Sequence, residues 1–146
     1  MAKDFPQIRI VARQFGMAEP AKAQAAAENF LSAHPDLDGI FASNESGSAG
    51  ASQALKAHPG KVKLVGFDSS PMLIDQLKAG VIDALVIQDP FRMGETAVDQ
   101  AVKAIQKQNV RKDLFLSPRL VDLSNLNDPV VQAQIKPDLE RYLTGS

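Results

Sequence analysis

The sequence has no cysteine and no tryptophan, and only one tyrosine and two histidines in 146 residues. Without cysteine there is no disulfide framework, no thiolate nucleophile and no thiolate zinc site. His34 and His58 each stand in an Ala-His-Pro triplet. Neither has an acidic or serine partner at useful spacing, so both read as helix carboxyl-terminal residues whose imidazoles meet terminal carbonyls. A surplus of one charge is lacking too: 16 Lys and Arg against 17 Asp and Glu leave a formal net charge of −1. Such a balance offers nothing with which to neutralise phosphates or anionic lipid, which excludes general nucleic-acid binding. No run approaches the roughly 18 apolar residues of a membrane helix. The opening Met1-Ala2-Lys3-Asp4-Phe5-Pro6 holds no apolar leader core, so no signal peptide is expected.

What is present is ordinary globular material, 45% hydrophobic and 23% charged, which argues against disorder. The length fits one domain over 1–146, with no linker or low-complexity tract. Short apolar runs rich in β-branched residues predict strands at 8–12, 39–43, 62–67 and 84–87, and a further one at 119–123. Ala23, Ala26, Ala27, Phe30 and Leu31 repeat with helical spacing, as do Val98, Ala101, Val102 and Ile105. Val131, Ile135, Leu139, Tyr142 and Leu143 predict a last helix kinked at Pro137. Ser70-Pro71, Asp89-Pro90 and Asp128-Pro129 read as helix starts, and Gly60 and Gly80 as helix ends. Alternating strands and helices predict an α/β, doubly wound, mostly parallel sheet.

In such a sheet ligands bind beyond the carboxyl ends of the strands. Three successive predicted strands end in polar side chains, at Asn44, Asp68 and Gln88. Parallel strands would bring these two amides and one carboxylate to a single rim, where their donors and acceptors suit vicinal hydroxyls. Any one alone reads as a turn or cap residue; the recurrence at equivalent strand ends points to a site. Phe67, Phe91 and Phe15 are near in sequence and offer surface for the apolar face of a ring, although Phe67 reads first as core and Phe91 first as a helix-packing residue, with Phe15 open to either role. Gly47-Ser48-Ala49-Gly50 is not a phosphate-loop pattern, and its small residues suit close approach of a helix. Glu45 has no nucleophile or second carboxylate paired with it.

The runs Leu37 to Glu45, Lys63 to Asp68, Leu77 to Ala84 and Ile87 to Pro90, with Met93-Gly94, closely resemble the periplasmic sugar-binding proteins of ABC importers, in the ribose-binding class. The stretch from Leu120 through Asn127-Asp128-Pro129 to Lys136-Pro137 is similar to the tail of that family. Effector domains of LacI-type repressors share the Gly-Phe-Asp at 66–68, while Gln-Asp-Pro at 88–90 followed by Met-Gly leans toward the transport proteins.

The resemblance implies a flavodoxin-like single lobe of a type I periplasmic fold: 1–146 corresponds to most of the second lobe, and the 91–106 helix packs in the other lobe in the family. It implies a non-catalytic protein without cofactor or metal, a monosaccharide ligand held by Asn44, Asp68 and Gln88 with Phe67 beside them, and delivery in the periplasm to a membrane permease; Phe15 joins the candidate ligand-binding residues only by its nearness in sequence. An Arg that follows the first strand of the family's second lobe has no counterpart here, and the first lobe, with the opening strand and helix of the second, is absent. The chain is therefore expected to associate with a second copy or with a complementary lobe. The alternative is a shortened module that oligomerises or regulates without binding sugar; a phospho-receiver or flavodoxin-like enzyme is disfavoured because Gln88 stands where a Lys would be needed.

Overall fold

Strands whose side chains alternate between a sealed and an open side give this fold its form. The computed structural model describes residues 4–143, so part of the opening run read for a leader lies outside the described residues. In chain order the elements are α1 (Pro20–Ala33), β1 (Gly39–Phe41), α2 (Glu45–Leu55), β2 (Lys63–Phe67), α3 (Pro71–Lys78), β3 (Ala84–Ile87), α4 (Pro90–Ile105), β4 (Arg119–Val121), α5 (Pro129–Ile135) and α6 (Glu140–Leu143). The sheet runs β1-β2-β3-β4; the first three strands are parallel and β4 is antiparallel to β3. The mostly parallel α/β sheet expected from the sequence is present, as the part of the doubly wound plan that runs from β1 onward.

Register aligns Ile40 with Leu64, Gly66 with Leu85, and Leu85 with Val121. On this side Leu64, Leu85, Ile87 and Val121 are wholly buried, packed with Ala51, Ala54 and Leu55 of α2 and Leu73, Ile74 and Leu77 of α3. Leu126, just before α5, and Val131, on it, join that core. Full burial of one such aliphatic side chain is worth about 1.5–3 kcal/mol, so this one face holds the sheet together. The other face, carrying Phe41, Val65, Phe67, Val86 and Leu120, is half-buried to exposed.

Helix starts obey local chemistry. Asp89 accepts from the Arg92 backbone N–H at 3.0 Å and Asp128 from that of Val130 at 2.7 Å, each just before a proline that needs no such partner. Ser70 departs from its reading as a cap: its hydroxyl makes no capping bond. Gly80 ends α3 at φ +73°, where a side chain would be strained. At the sheet's amino end Asp83 accepts from the Leu64 N–H at 2.9 Å and pairs with Lys63 at 2.7 Å, tying β3 to β2.

Two expectations are corrected. Residues 8–12 form no strand; Ile8, Ile10 and Val11 are exposed, and β1 pairs only with β2, leaving its other edge open. The β-branched run has the composition of a strand but no neighbour to complete its hydrogen bonds, and an isolated strand is not stable in water. The last helix is broken into α5 and α6 rather than kinked, because Pro137 has no N–H to continue the ladder.

Candidate functional site

The parallel strands end on one rim. Asn44 follows β1 as the N-cap of α2: its Oδ1 accepts from the Gly47 N–H at 2.8 Å and the Ser46 hydroxyl at 3.3 Å. The capping and site readings are thus both compatible with the geometry, since the cap uses the oxygen and does not engage the two Nδ2 donors of this exposed residue. Gly47 is required for this cap, because a Cβ there would lie 2.7 Å from the Asn44 Oδ1.

Asp68 follows β2 with φ +71°, a left-handed backbone that asparagine and aspartate tolerate better than most residues but that still carries strain. Two bonds hold it there. Its N–H donates to the Val86 carbonyl at 3.0 Å, extending the β2–β3 ladder by one residue, and its Oδ1 accepts from the Gln88 Nε2 at 3.1 Å. The carboxylate is therefore aimed by its neighbour at the end of β3, with Oδ2 open. Asn44 and Asp68 line one open cleft of about 520 Å³ together with Glu45, Ser46, Ala49, Met72, Ala18 and Pro20.

Phe15 is 90% exposed, on a segment outside the sheet. It lines a second hollow of about 240 Å³ between residues 14–18, α1 and β1, which meets the first at Asn44. Phe67 is half-buried and lines neither hollow. Phe91 packs on Tyr142, with ring centroids 4.9 Å apart, in keeping with its reading as a helix-packing residue. His34 sits at the C-cap of α1, and the His58 N–H donates to the Leu55 carbonyl at the end of α2, both where helix ends were expected. Among the described residues no group of three or more His, Cys, Asp or Glu is placed to hold a metal. The acids shifted below their ordinary range lie away from the rim: Asp99 through its bond with Lys103, and Asp122 through its bonds with Ser124.

Sequence reasoning missed Ser48. Wholly buried on α2, its hydroxyl lies 2.7 Å from the Phe67 N–H and 3.2 Å from the Phe67 carbonyl, and 2.8 Å from the Asn44 carbonyl. In a parallel ladder one residue's N–H and C=O face the same neighbour. β1 has stopped at Phe41, so the Ser48 hydroxyl takes the place of the missing strand at Phe67 and binds the two strand ends together. The only signal in the sequence was its setting in a run of small residues. Gly66 completes the fit, since a Cβ there would lie 2.9 Å from the Ser48 hydroxyl oxygen.

Comparisons with known proteins agree with this architecture. A family model described as periplasmic binding protein domain matches residues 1–109. The D-apiose import binding protein of Paraburkholderia graminis is 35% identical over 109 residues, 74% of this chain and 35% of that protein. The ribose import binding protein of Bacillus subtilis is 26% identical over 108 residues, again 35% of its length. The crystal structure of a carbohydrate transporter solute-binding protein from Agrobacterium radiobacter, in complex with D-arabinose, superposes with a TM-score of 0.86 at 30% identity, covering 92% of this chain and 47% of that one. A solute-binding protein from Agrobacterium vitis with bound D-fucose gives 0.80 at 31% identity, covering 85% and 43%. This chain thus spans about a third to a half of the length of these relatives. No helix among the described residues is long and apolar enough to cross a membrane. On the family match and the shared fold together, the chain belongs to the periplasmic binding protein domain family.

Proposed function

We propose that this chain is one wall of a carbohydrate-binding site, a non-catalytic lobe whose complete parent captures a monosaccharide in the periplasm for ABC-type import. The observation that carries the reading is the triple convergence at the rim: Asn44 and Asp68 line one cleft, and Gln88 bonds Asp68. In this reading Asp68 accepts from sugar hydroxyls, Gln88 fixes the carboxylate and offers its remaining N–H, and the Asn44 Nδ2 donates to a hydroxyl oxygen. Phe15 and Phe67 are proposed as flanking apolar surface, Phe15 with more freedom because it is exposed. Relatives that carry arabinose and fucose support a monosaccharide as the ligand class.

A lone wall leaves the ligand's other side in water, whereas ligand sites bury most of their ligand. The second wall is proposed to come from a complementary lobe. Calorimetric titration of a monosaccharide panel tests this, with and without a first-lobe polypeptide. The chain alone should bind no tighter than about 1 mM, near −4 kcal/mol, and tighter binding should appear with the added lobe. Asp68→Ala should weaken that binding at least about tenfold, since hydrogen bonds to a charged group are worth roughly 1.5–3 kcal/mol. An unchanged dissociation constant removes Asp68 from the site; no binding in any combination removes the carbohydrate reading. The competing reading, an association module without a sugar, draws its support from apolar surface that the chain leaves uncovered.

A further inference from the structure

The two halves of the proposed rim stand on different elements. Asp68 and Gln88 hold each other at the ends of β2 and β3, through the 3.1 Å bond between their side chains and the Asp68 N–H to the Val86 carbonyl. Asn44 belongs instead to α2, which it caps, and its side-chain bonds go to Gly47 and Ser46 of that helix. Where Asn44 stands relative to Asp68 is therefore set by how α2 meets the end of β2. β1 pairs with β2 as far as Phe41 opposite Val65, and the Ala42 N–H adds one bond to the Val65 carbonyl.

Beyond that point the joint is Ser48. Its hydroxyl has one proton to give and lone pairs with which to receive. The Phe67 N–H donates to it at 2.7 Å, and it donates to the Asn44 carbonyl at 2.8 Å, with the Phe67 carbonyl farther off at 3.2 Å. These distances describe a relay from the residue before Asp68, through one hydroxyl, to the backbone of Asn44 itself. Each bond in such a relay polarises the next, so the two strengthen one another. The Asn44 carbonyl also accepts from the Ser48 N–H at 2.9 Å, which seats it on the first turn of α2. Ser48 is wholly buried, so water does not compete for these bonds. Gly66 lets the helix come this close, since a Cβ there would lie 2.9 Å from the Ser48 Oγ.

On the carbohydrate reading, which this assignment rests on and deepens, we propose that Ser48 is a positioning residue of the sugar site. It touches no ligand. It sets the spacing between the Asn44 amide and the Asp68 carboxylate, which have to reach neighbouring hydroxyls of one ring. Vicinal hydroxyls present their oxygens at a fixed separation, so the groups that bind them need to be held to within about 0.5 Å. Asp68 is fixed to β2 and β3 and Asn44 to α2; the hydroxyl that ties α2 to β2 makes the two contacts a matched pair.

Titration calorimetry tests this with D-arabinose and D-fucose as probe sugars, on the whole chain together with a first-lobe polypeptide. The chains compared are the parent, Ser48→Ala, Asp68→Gly and the two substitutions combined. Ser48→Ala should weaken binding about tenfold in the parent and less than about threefold in the Asp68→Gly chain, because without the carboxylate no spacing is left to keep. A merely structural role would lower the folded fraction in both backgrounds and leave the dissociation constant of the folded chain unchanged. Circular dichroism at the titration temperature reads the fold of each variant. Should Ser48→Ala not fold, Ser48→Cys takes its place, because a thiol bonds only weakly. Ser48→Thr restores the hydroxyl, since a helical threonine Oγ1 reaches the carbonyl four residues back, and should return affinity to within about threefold of the parent. A folded Ser48→Ala chain that binds as the parent does, equal losses in the two backgrounds, or a Ser48→Thr chain as weak as Ser48→Ala overturns the assignment and leaves the carbohydrate reading standing. A parent chain that binds neither sugar with the first lobe present overturns the carbohydrate reading, and the role of Ser48 in it, before any variant is made.

Discussion

Ser48 and Ser52 lie one helical turn apart on α2, are both wholly buried, and differ only in what their hydroxyls bind. Ser48 serves Phe67 N–H at 2.7 Å and the Asn44 carbonyl at 2.8 Å. Ser52 donates back to the Ala49 carbonyl at 2.8 Å, an oxygen that the α2 ladder already uses. Truncating Ser48 to Ala therefore leaves a strand N–H facing a methyl group, and a buried donor without a partner costs roughly 1–3 kcal/mol. Truncating Ser52 to Ala removes a bond that competes with the helix and replaces it with a better helix former, a change expected within about 0.5 kcal/mol of neutral. Urea denaturation of the two variants, followed by circular dichroism, should show Ser48→Ala about 2 kcal/mol less stable at unchanged m-value, and a thermal midpoint lower by about 7 °C. Ser52→Ala should overlay the parent. Equal losses in both would mean that burial volume, and not the identity of the acceptor and donor, decides the cost. A Ser48→Ala chain as stable as the parent would refute the assignment of its hydroxyl as the substitute for a strand.

Asp68→Gly should separate stability from function: glycine adopts φ +71° without strain, so the fold should gain or hold within about 1 kcal/mol while sugar affinity in the lobe-complemented assembly falls at least about tenfold. Stability curves and titration calorimetry on one sample read both. Gly50→Ala should cost more than about 2 kcal/mol by denaturant titration, because its Cβ would collide with the Pro20 carbonyl oxygen and lie 2.6 Å from the Gln24 backbone nitrogen, driving α1 off α2.

Apolar periodicity carried most of the fold. The run 84–87 is a strand over its full length, and the spacings from Ala23 and from Val98 lie inside α1 and α4. Those signals are local, because a residue's side is set by its own backbone geometry. The failure at 8–12 is the informative contrast: Ile8-Arg9-Ile10-Val11 has the residues of a strand, but a strand is stable only with a neighbour, and that condition is not written in the run itself. The antiparallel direction of β4 was equally invisible, since Arg119-Leu120-Val121 reads the same either way. At the rim, Asn44, Asp68 and Gln88 were legible because parallel strands align their ends. Their partners were not. The bond from Gln88 to Asp68 depends on the register of β2 against β3, and the role of Ser48 depends on where β1 happens to stop.

The rim at the strand ends and the outer face of the sheet meet at Phe67, whose side chain lies on that face and whose backbone bonds the Ser48 hydroxyl. Asp68 is held by bonds that belong to β2 and β3 alone, its N–H to Val86 and its carboxylate to Gln88, so its strained conformation needs no outside support. The apolar patch runs across the outer face from Phe41 to Leu120, and the α4 stripe begins at Val98, about two helical turns beyond the helix start. Neither Asn44 nor Asp68 belongs to that patch. Burying the patch would, however, stiffen Phe67 and Val86, whose backbones carry the Ser48 and Asp68 bonds. Whatever covers the outer face is thus expected to hold the hydroxyl-binding groups at the rim more firmly.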